Sequence, residues 1–135
     1  MKIVVLKFGG TSVGSIDRIK KISKIILNYI KKKYKVIVIS SAMSGVTNEL
    51  VNKSKKISKN FSNAEHDVLV SAGEQISCAL IAGSLKDLGY KSRSWLSWQI
   101  PILTTGKYSQ SSGRIITERY RTCVSWRSTN LRRNV

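Results

Sequence analysis

Two short runs of Ile and Val, and the stretch between them, leave this chain few ways to begin folding. Residues 2 to 8 are rich in Ile and Val and stop at Gly9-Gly10; residues 35 to 40 read KVIVIS. Both read as buried strands. Between them Ile19, Ile22, Ile26 and Ile30 recur at helical spacing, with lysines on the other side. Ser15 is placed to cap that helix, and Asp17 falls in its first turn, where negative charge suits the helix dipole. Strand, glycine turn, helix and strand together predict a βαβ unit with parallel pairing.

The remainder continues the alternation. After the loop SAMSG, a helix is expected from about Val46 to Lys59, with Val46, Leu50 and Ile57 as apolar positions. NFSNAE is a polar break. A longer helix is expected over about Glu65 to Leu88, with Leu69, Ala72, Ile76 and Leu80 on one side and Gly89-Tyr90 at its end. His66 and Asp67 are assigned to its capping and first turn, and Cys78 to packed core. KSRSWLSWQIPILT has strand-like content, with Trp95 and Trp98 filling space beside the sheet and Pro101 marking an edge or bend. The fold class expected is α/β, a mostly parallel sheet sandwiched by helices.

Composition narrows the function classes. The 135 residues carry 24 Lys and Arg against 7 Asp and Glu, a formal net charge of +17. The lysines are spread along helical segments without interleaved aromatics, which reads as solvated helix surface. A basic nucleic-acid-binding protein is the weaker alternative. No run of about 18 apolar residues marks a membrane span. The opening residues do not form a signal peptide. Cys78 and Cys123 lack metal-ligand spacing and read as free thiols of a cytoplasmic protein. A single histidine, His66, does not make a His-based triad or zinc site. Beyond about residue 116 arginines replace lysines and no apolar period persists, so residues 116–135 are expected to form a basic tail.

The chemistry centres on KFGGTSVG, residues 7 to 14. Gly-Gly after a strand lets backbone approach a ligand, and the helix that follows aims its free N–H groups at the same place. Lys7 could set an ammonium on phosphate, and Thr11 and Ser12 add hydroxyls. The pattern is neither GxxxxGK[ST] nor GxGxxG. From the residues alone, a phosphate loop and a tight structural turn stand equal.

Four further segments carry a resemblance. With KFGGTSVG, the stretches VISSAMSGVTNEL (38 to 50), VSAGEQISCALIAGSLKDLG (70 to 89) and SWQIPILT (97 to 104), and more weakly SSGRI (ending at Ile115), occur in the order and spacing of aspartokinases, in the amino-acid kinase superfamily. The chain resembles that family over about residues 2 to 115, taken as the N-terminal, amino-acid-binding part of the catalytic domain. The resemblance implies transfer of the ATP γ-phosphate to the side-chain carboxylate of L-aspartate, at the start of lysine, threonine and methionine biosynthesis. It implies Lys7 as the catalytic cation, with Lys7, Phe8, Gly9, Gly10 and Ser41 at the nucleotide. Thr47 and Glu74 would meet the amino acid. ATP would come with Mg²⁺, and no protein metal ligand is expected in this segment. Glu74 suits its role physically: a carboxylate in an apolar helical stretch is costly unless paired, and an α-ammonium would pair it. The family's second half, with its Gly-Arg-Gly-Gly-Ser-Asp motif, is not found in these residues. The chain is therefore expected to be inactive alone, and to work as a homo-oligomer or with a complementing chain. A non-catalytic fragment that binds aspartate is the alternative.

Overall fold

The computed structural model describes residues 2–96 together with 99 and 100. Five elements follow in order: β1 (Ile3–Phe8), α1 (Ile16–Lys31), β2 (Lys35–Ser40), α2 (Val46–Ile57) and α3 (Asn63–Asp87). β1 and β2 pair in parallel, from Ile3 opposite Lys35 to Phe8 opposite Ser40, and α1 makes the crossover. The expected βαβ unit is present. The expected strand around Pro101, the position of Trp98, Cys123 and the boundary near residue 115 lie outside the described residues.

α1 forms as its sequence requires. Ser15 is extended, and its hydroxyl accepts from the Arg18 N–H at 3.3 Å. Ile19, Ile22 and Ile26 are buried and join Val13, Ile81 and Leu85 in the core, with Leu6, Phe8, Val36 and Val38 of the sheet packed against them. Burial of each such side chain stabilises the fold by roughly 1.5–3 kcal/mol.

The strands are covered on one face only among the described residues. Leu6, Phe8, Val36 and Val38 meet the helices, whereas Ile3 and Val5 are each 56% exposed and Ile39 is 50% exposed. Strands read as buried are thus buried on one face among the described residues, because α1 and α3 both lie on the same side.

α3 starts earlier than expected. Ser62 caps it, accepting from the Glu65 N–H, so His66 and Asp67 lie within the helix rather than at its cap. Its buried row is Gly73, Ser77, Ile81 and Leu85, one residue round from the side expected, and Ile76 is 51% exposed. The helix is apolar nearly all round, so periodicity cannot choose its face. By length and composition it could cross a membrane, with mean hydropathy 1.5; a core helix meets the same measure, and α3 packs on α1, α2 and β2. In α2 the row Val46, Leu50, Ser54 turns inward, and Ile57, expected to be apolar packing, is 77% exposed at the helix end.

α1 and α3 end in the same way with different residues. In α3, Gly89 at φ 83° lets its own N–H reach the Lys86 carbonyl and the Tyr90 N–H reach Leu85. In α1, Lys33 takes the equivalent place at φ 63°. Its N–H reaches Ile30, the Tyr34 N–H reaches Tyr29, and the Tyr29 and Tyr34 rings meet edge to face with centroids 5.9 Å apart. A non-glycine residue in this conformation costs about 1–2 kcal/mol, part of which glycine gives back through its freer unfolded chain. Lys33→Gly is therefore expected to stabilise the protein by about 1 kcal/mol and Gly89→Ala to destabilise it by a similar amount. Urea denaturation midpoints check both.

Candidate functional site

Parallel pairing brings the ends of β1 and β2 to one edge, and both loops leave from there. The Ser41 N–H donates to the Phe8 carbonyl at 3.1 Å, extending the ladder by one step. Ligands of open α/β sheets settle at this carboxyl end of the strands.

The first loop folds back on itself. The Gly9 carbonyl accepts from the N–H groups of Ser12 and Val13, and the Arg18 guanidinium donates to the Thr11 carbonyl. A Cβ added at Gly9 would meet nothing within 4 Å, so open space lies in front of the turn. Gly10 differs: a Cβ there would come within 2.9 Å of the Ala42 carbonyl oxygen. The absence of a side chain at Gly10 is thus used by the protein itself, to seat one loop on the other. Lys7 is exposed on the uncovered face of β1, one residue short of its end, and the Phe8 side chain turns the other way into the core.

The second loop runs from Ser41 to Gly45. Gly45, at φ 84°, stands at the N-cap of α2, so Thr47 is the second helical residue and not a cap. Ala42 is 4% exposed and sits against α3. Gly73 makes that approach feasible, since a Cβ on it would lie 2.8 Å from the Ala42 Cβ and 3.3 Å from a Val46 methyl carbon. Beside it, Glu74 is half-buried and its Oε1 accepts from the Ala42 N–H at 3.3 Å. Glu74 and Ser41 are thereby drawn to one end of the sheet, with Thr47 at the start of the helix that follows.

Two side chains that the sequence reading passed over belong to this cluster. Ser77 is fully buried, and its Oγ lies 2.7 Å from the Ser41 carbonyl oxygen. Ser40 donates to Ser77 Oγ at 3.2 Å. A fully buried serine on an apolar helix was a signal available from sequence only once the buried side of α3 was known. Cys78, expected in packed core, is half-buried. Burial, and next the negative charge of Glu74, push its thiol above the usual range. Trp95, expected to fill space beside the sheet, is 36% exposed and carries the Arg93 guanidinium 4.1 Å over its ring. Among the described residues no group of three or more His, Cys, Asp and Glu could hold a metal ion.

Two outcomes follow from this packing. Gly73→Ala gains helix propensity yet forces a methyl against Ala42, so it is expected to cost about 1–2 kcal/mol, and Ala42→Gly in the same chain to recover part of that. Urea denaturation of the single and double variants checks it. In a Cys123→Ser background, alkylation of Cys78 is expected to reach half-maximal rate at higher pH than a free thiol. Glu74→Gln should lower that pH without restoring it fully, since burial is the larger cause. Because the folded thiol holds its proton to higher pH than the unfolded one, this group's contribution to stability declines as pH rises from the unfolded thiol pKa toward the folded one.

Comparison with known proteins agrees with the geometry. The profile described as "Amino acid kinase family" matches residues 2–130. The chain is 47% identical over 120 residues to an aspartokinase of Rickettsia felis, covering 87% of this chain and 30% of that protein. It is 45% identical over 125 residues to an aspartokinase of Geobacillus stearothermophilus, covering 92% of this chain and 31% of the other. Among solved structures it superposes on aspartate kinase from Synechocystis with TM-score 0.62 and 38% identity, over 64% of this chain and 15% of that one. It also superposes on E. coli aspartokinase III in complex with aspartate and ADP, with TM-score 0.64 and 20% identity, a likeness of fold, over 85% of this chain and 35% of that one. The chain spans about 30% of the length of the curated relatives it matches. With its parallel βαβ opening, its two apposed loops and a match over nearly its whole length, the chain belongs to the amino acid kinase family.

Proposed function

We propose that these residues form the aspartate-binding, phosphate-facing part of an aspartate kinase, which transfers the γ-phosphoryl group of ATP to the side-chain carboxylate of L-aspartate. The observation that carries this reading is the meeting of the Gly9-Gly10 turn, the Ser41 loop and the Glu74 carboxylate at one edge of a parallel sheet. Likeness to named aspartokinases supplies the acceptor.

The chemistry suits a site without histidine. The acceptor carboxylate is already ionised near neutral pH, so no general base is needed. Catalysis then rests on placing the reactants and stabilising charge on the transferring group. In this reading Lys7 brings its ammonium to the phosphoryl oxygens. Gly9, with open space before it, and the backbone around Phe8, Gly10 and Ser41 receive the phosphates. Glu74 pairs with the α-ammonium of aspartate through the carboxylate oxygen not engaged by Ala42, and Thr47 offers its hydroxyl from the first turn of α2. Mg²⁺ would travel on the nucleotide phosphates, neutralising their charge.

Because the chain spans about 30% of its relatives, the same reading holds that these residues bind aspartate but turn over only when a second segment completes the site. Calorimetry of the full 135-residue chain with L-aspartate is expected to show binding, and Glu74→Gln to weaken it at least tenfold, since an uncompensated ammonium is costly. Coupled ADP release is expected to stay at background for the chain alone. Absence of aspartate binding would overturn the substrate assignment, and normal turnover would overturn the need for a second segment.

A further inference from the structure

Ser77 and Glu74 grip the same peptide group. The Ser41 carbonyl and the Ala42 N–H belong to one peptide unit, the first after β2. Ser77 Oγ lies 2.7 Å from that carbonyl oxygen, and Glu74 Oε1 accepts from that N–H at 3.3 Å. The two side chains are three residues apart on α3, hence neighbours on its surface. A single helical turn therefore holds both polar ends of the peptide that starts the second loop.

Proton counting shows how tightly the arrangement is set. Ser77 has one O–H to give. It can donate to the Ser41 carbonyl or to its own helix at Glu74, 3.0 Å away. Ser40 also has one proton, with Ser77 Oγ at 3.2 Å and the Ser41 carbonyl at 3.1 Å. The Ser41 carbonyl receives a hydroxyl in every arrangement except the one in which Ser77 donates along its own helix while Ser40 donates to Ser77. The 2.7 Å separation, the shortest of these contacts, favours Ser77 as the donor, with Ser40 as a second hydroxyl within reach. Ser23 provides the contrast: it is equally buried, but its hydroxyl donates only along its own helix, to Ile19.

We infer that Ser77 is a positioning residue: through the Ser41–Ala42 peptide it fixes the plane in which Glu74 holds its carboxylate, and so the direction in which the second carboxylate oxygen faces the substrate ammonium. This rests on the aspartate-binding reading for what that oxygen meets. The hold on the peptide itself does not. Removing the Ser77 hydroxyl leaves the Ser41 carbonyl only the longer contact from the adjacent Ser40, so the peptide can tilt, the Ala42 N–H turns with it, and Glu74 is oriented less strictly.

The test compares Ser77→Ala with Ser23→Ala in the full chain. Two-dimensional NMR reads the Ala42 amide shift and exchange rate and the Glu74 carboxyl carbon; calorimetry reads L-aspartate. Ser77→Ala is expected to move the Ala42 and Glu74 signals, speed Ala42 exchange, and weaken aspartate roughly fivefold to tenfold. Ser23→Ala is expected to lower thermal stability with none of these changes. Should Ser77→Ala unfold, Ser77→Thr, which keeps the hydroxyl, and Ser40→Ala, which removes the second donor, are read in the same way. Thr is expected to retain the wild-type Ala42 shift and Ser40→Ala to move it. Unmoved Ala42 and Glu74 signals in folded Ser77→Ala overturn the inference, as does an equal effect of Ser23→Ala. If wild-type chain shows no aspartate binding while Ser77→Ala still moves both signals, the aspartate reading falls and the grip of Ser77 on the peptide stands.

Discussion

The parallel register of β1 and β2 is the constraint on which the remaining structure depends. Phe8 opposite Ser40, with one further bond from the Ser41 N–H, ends both strands at the same level. The two loops must then leave side by side, and the helices after them start from a common edge. A shift of one residue would turn Leu6 and Phe8 outward and carry Lys7 into the core. The inward residues of β1, packed against Ile19, Ile22 and Ile26, forbid that shift. The core thus does more than hold the sheet together. It sets which side chains reach the ligand edge and which are left on the uncovered face.

Much of this was legible in the residues because each local signal had one reading. Ile19, Ile22 and Ile26 point one way around a helix whose other side is lysine, and Ser15 can only start it. Gly89 marks the end of α3 because few residues tolerate its backbone conformation. The buried side of α3 was not legible, for a physical reason: Ile76 and Leu80 are as apolar as Ile81 and Leu85, so hydropathy weighs the two sides alike. What decides is the absence of a side chain at Gly73, which lets the helix settle on Ala42. The start of α3 was misplaced because Ser62 and the acidic residues after it offer several capping frames.

The same division runs through the site. Glu74 stood out as a charge among apolar neighbours, and Gly9-Gly10 as a break after a strand. Ser77 had no such contrast, because serine is common on either side of a helix; its importance exists only in the distance to the Ser41 carbonyl. Gly10 was singled out for an access role, and its Cβ position shows a packing role alongside it.

That packing has an evolutionary consequence. Positions 10 and 73 are both limited by residue 42: the Ala42 backbone oxygen faces Gly10, and the Ala42 methyl faces Gly73. A lineage that enlarged position 73 would have to trim position 42 or part the helix from the loop, so those two drift together; one that enlarged position 10 would have to separate the loops, since a backbone oxygen cannot be trimmed. Invariance at Gly10 or Gly73 across relatives would then record a packing distance as much as a ligand contact. An antagonist built to lean on this wall would press on atoms that single substitutions can scarcely move.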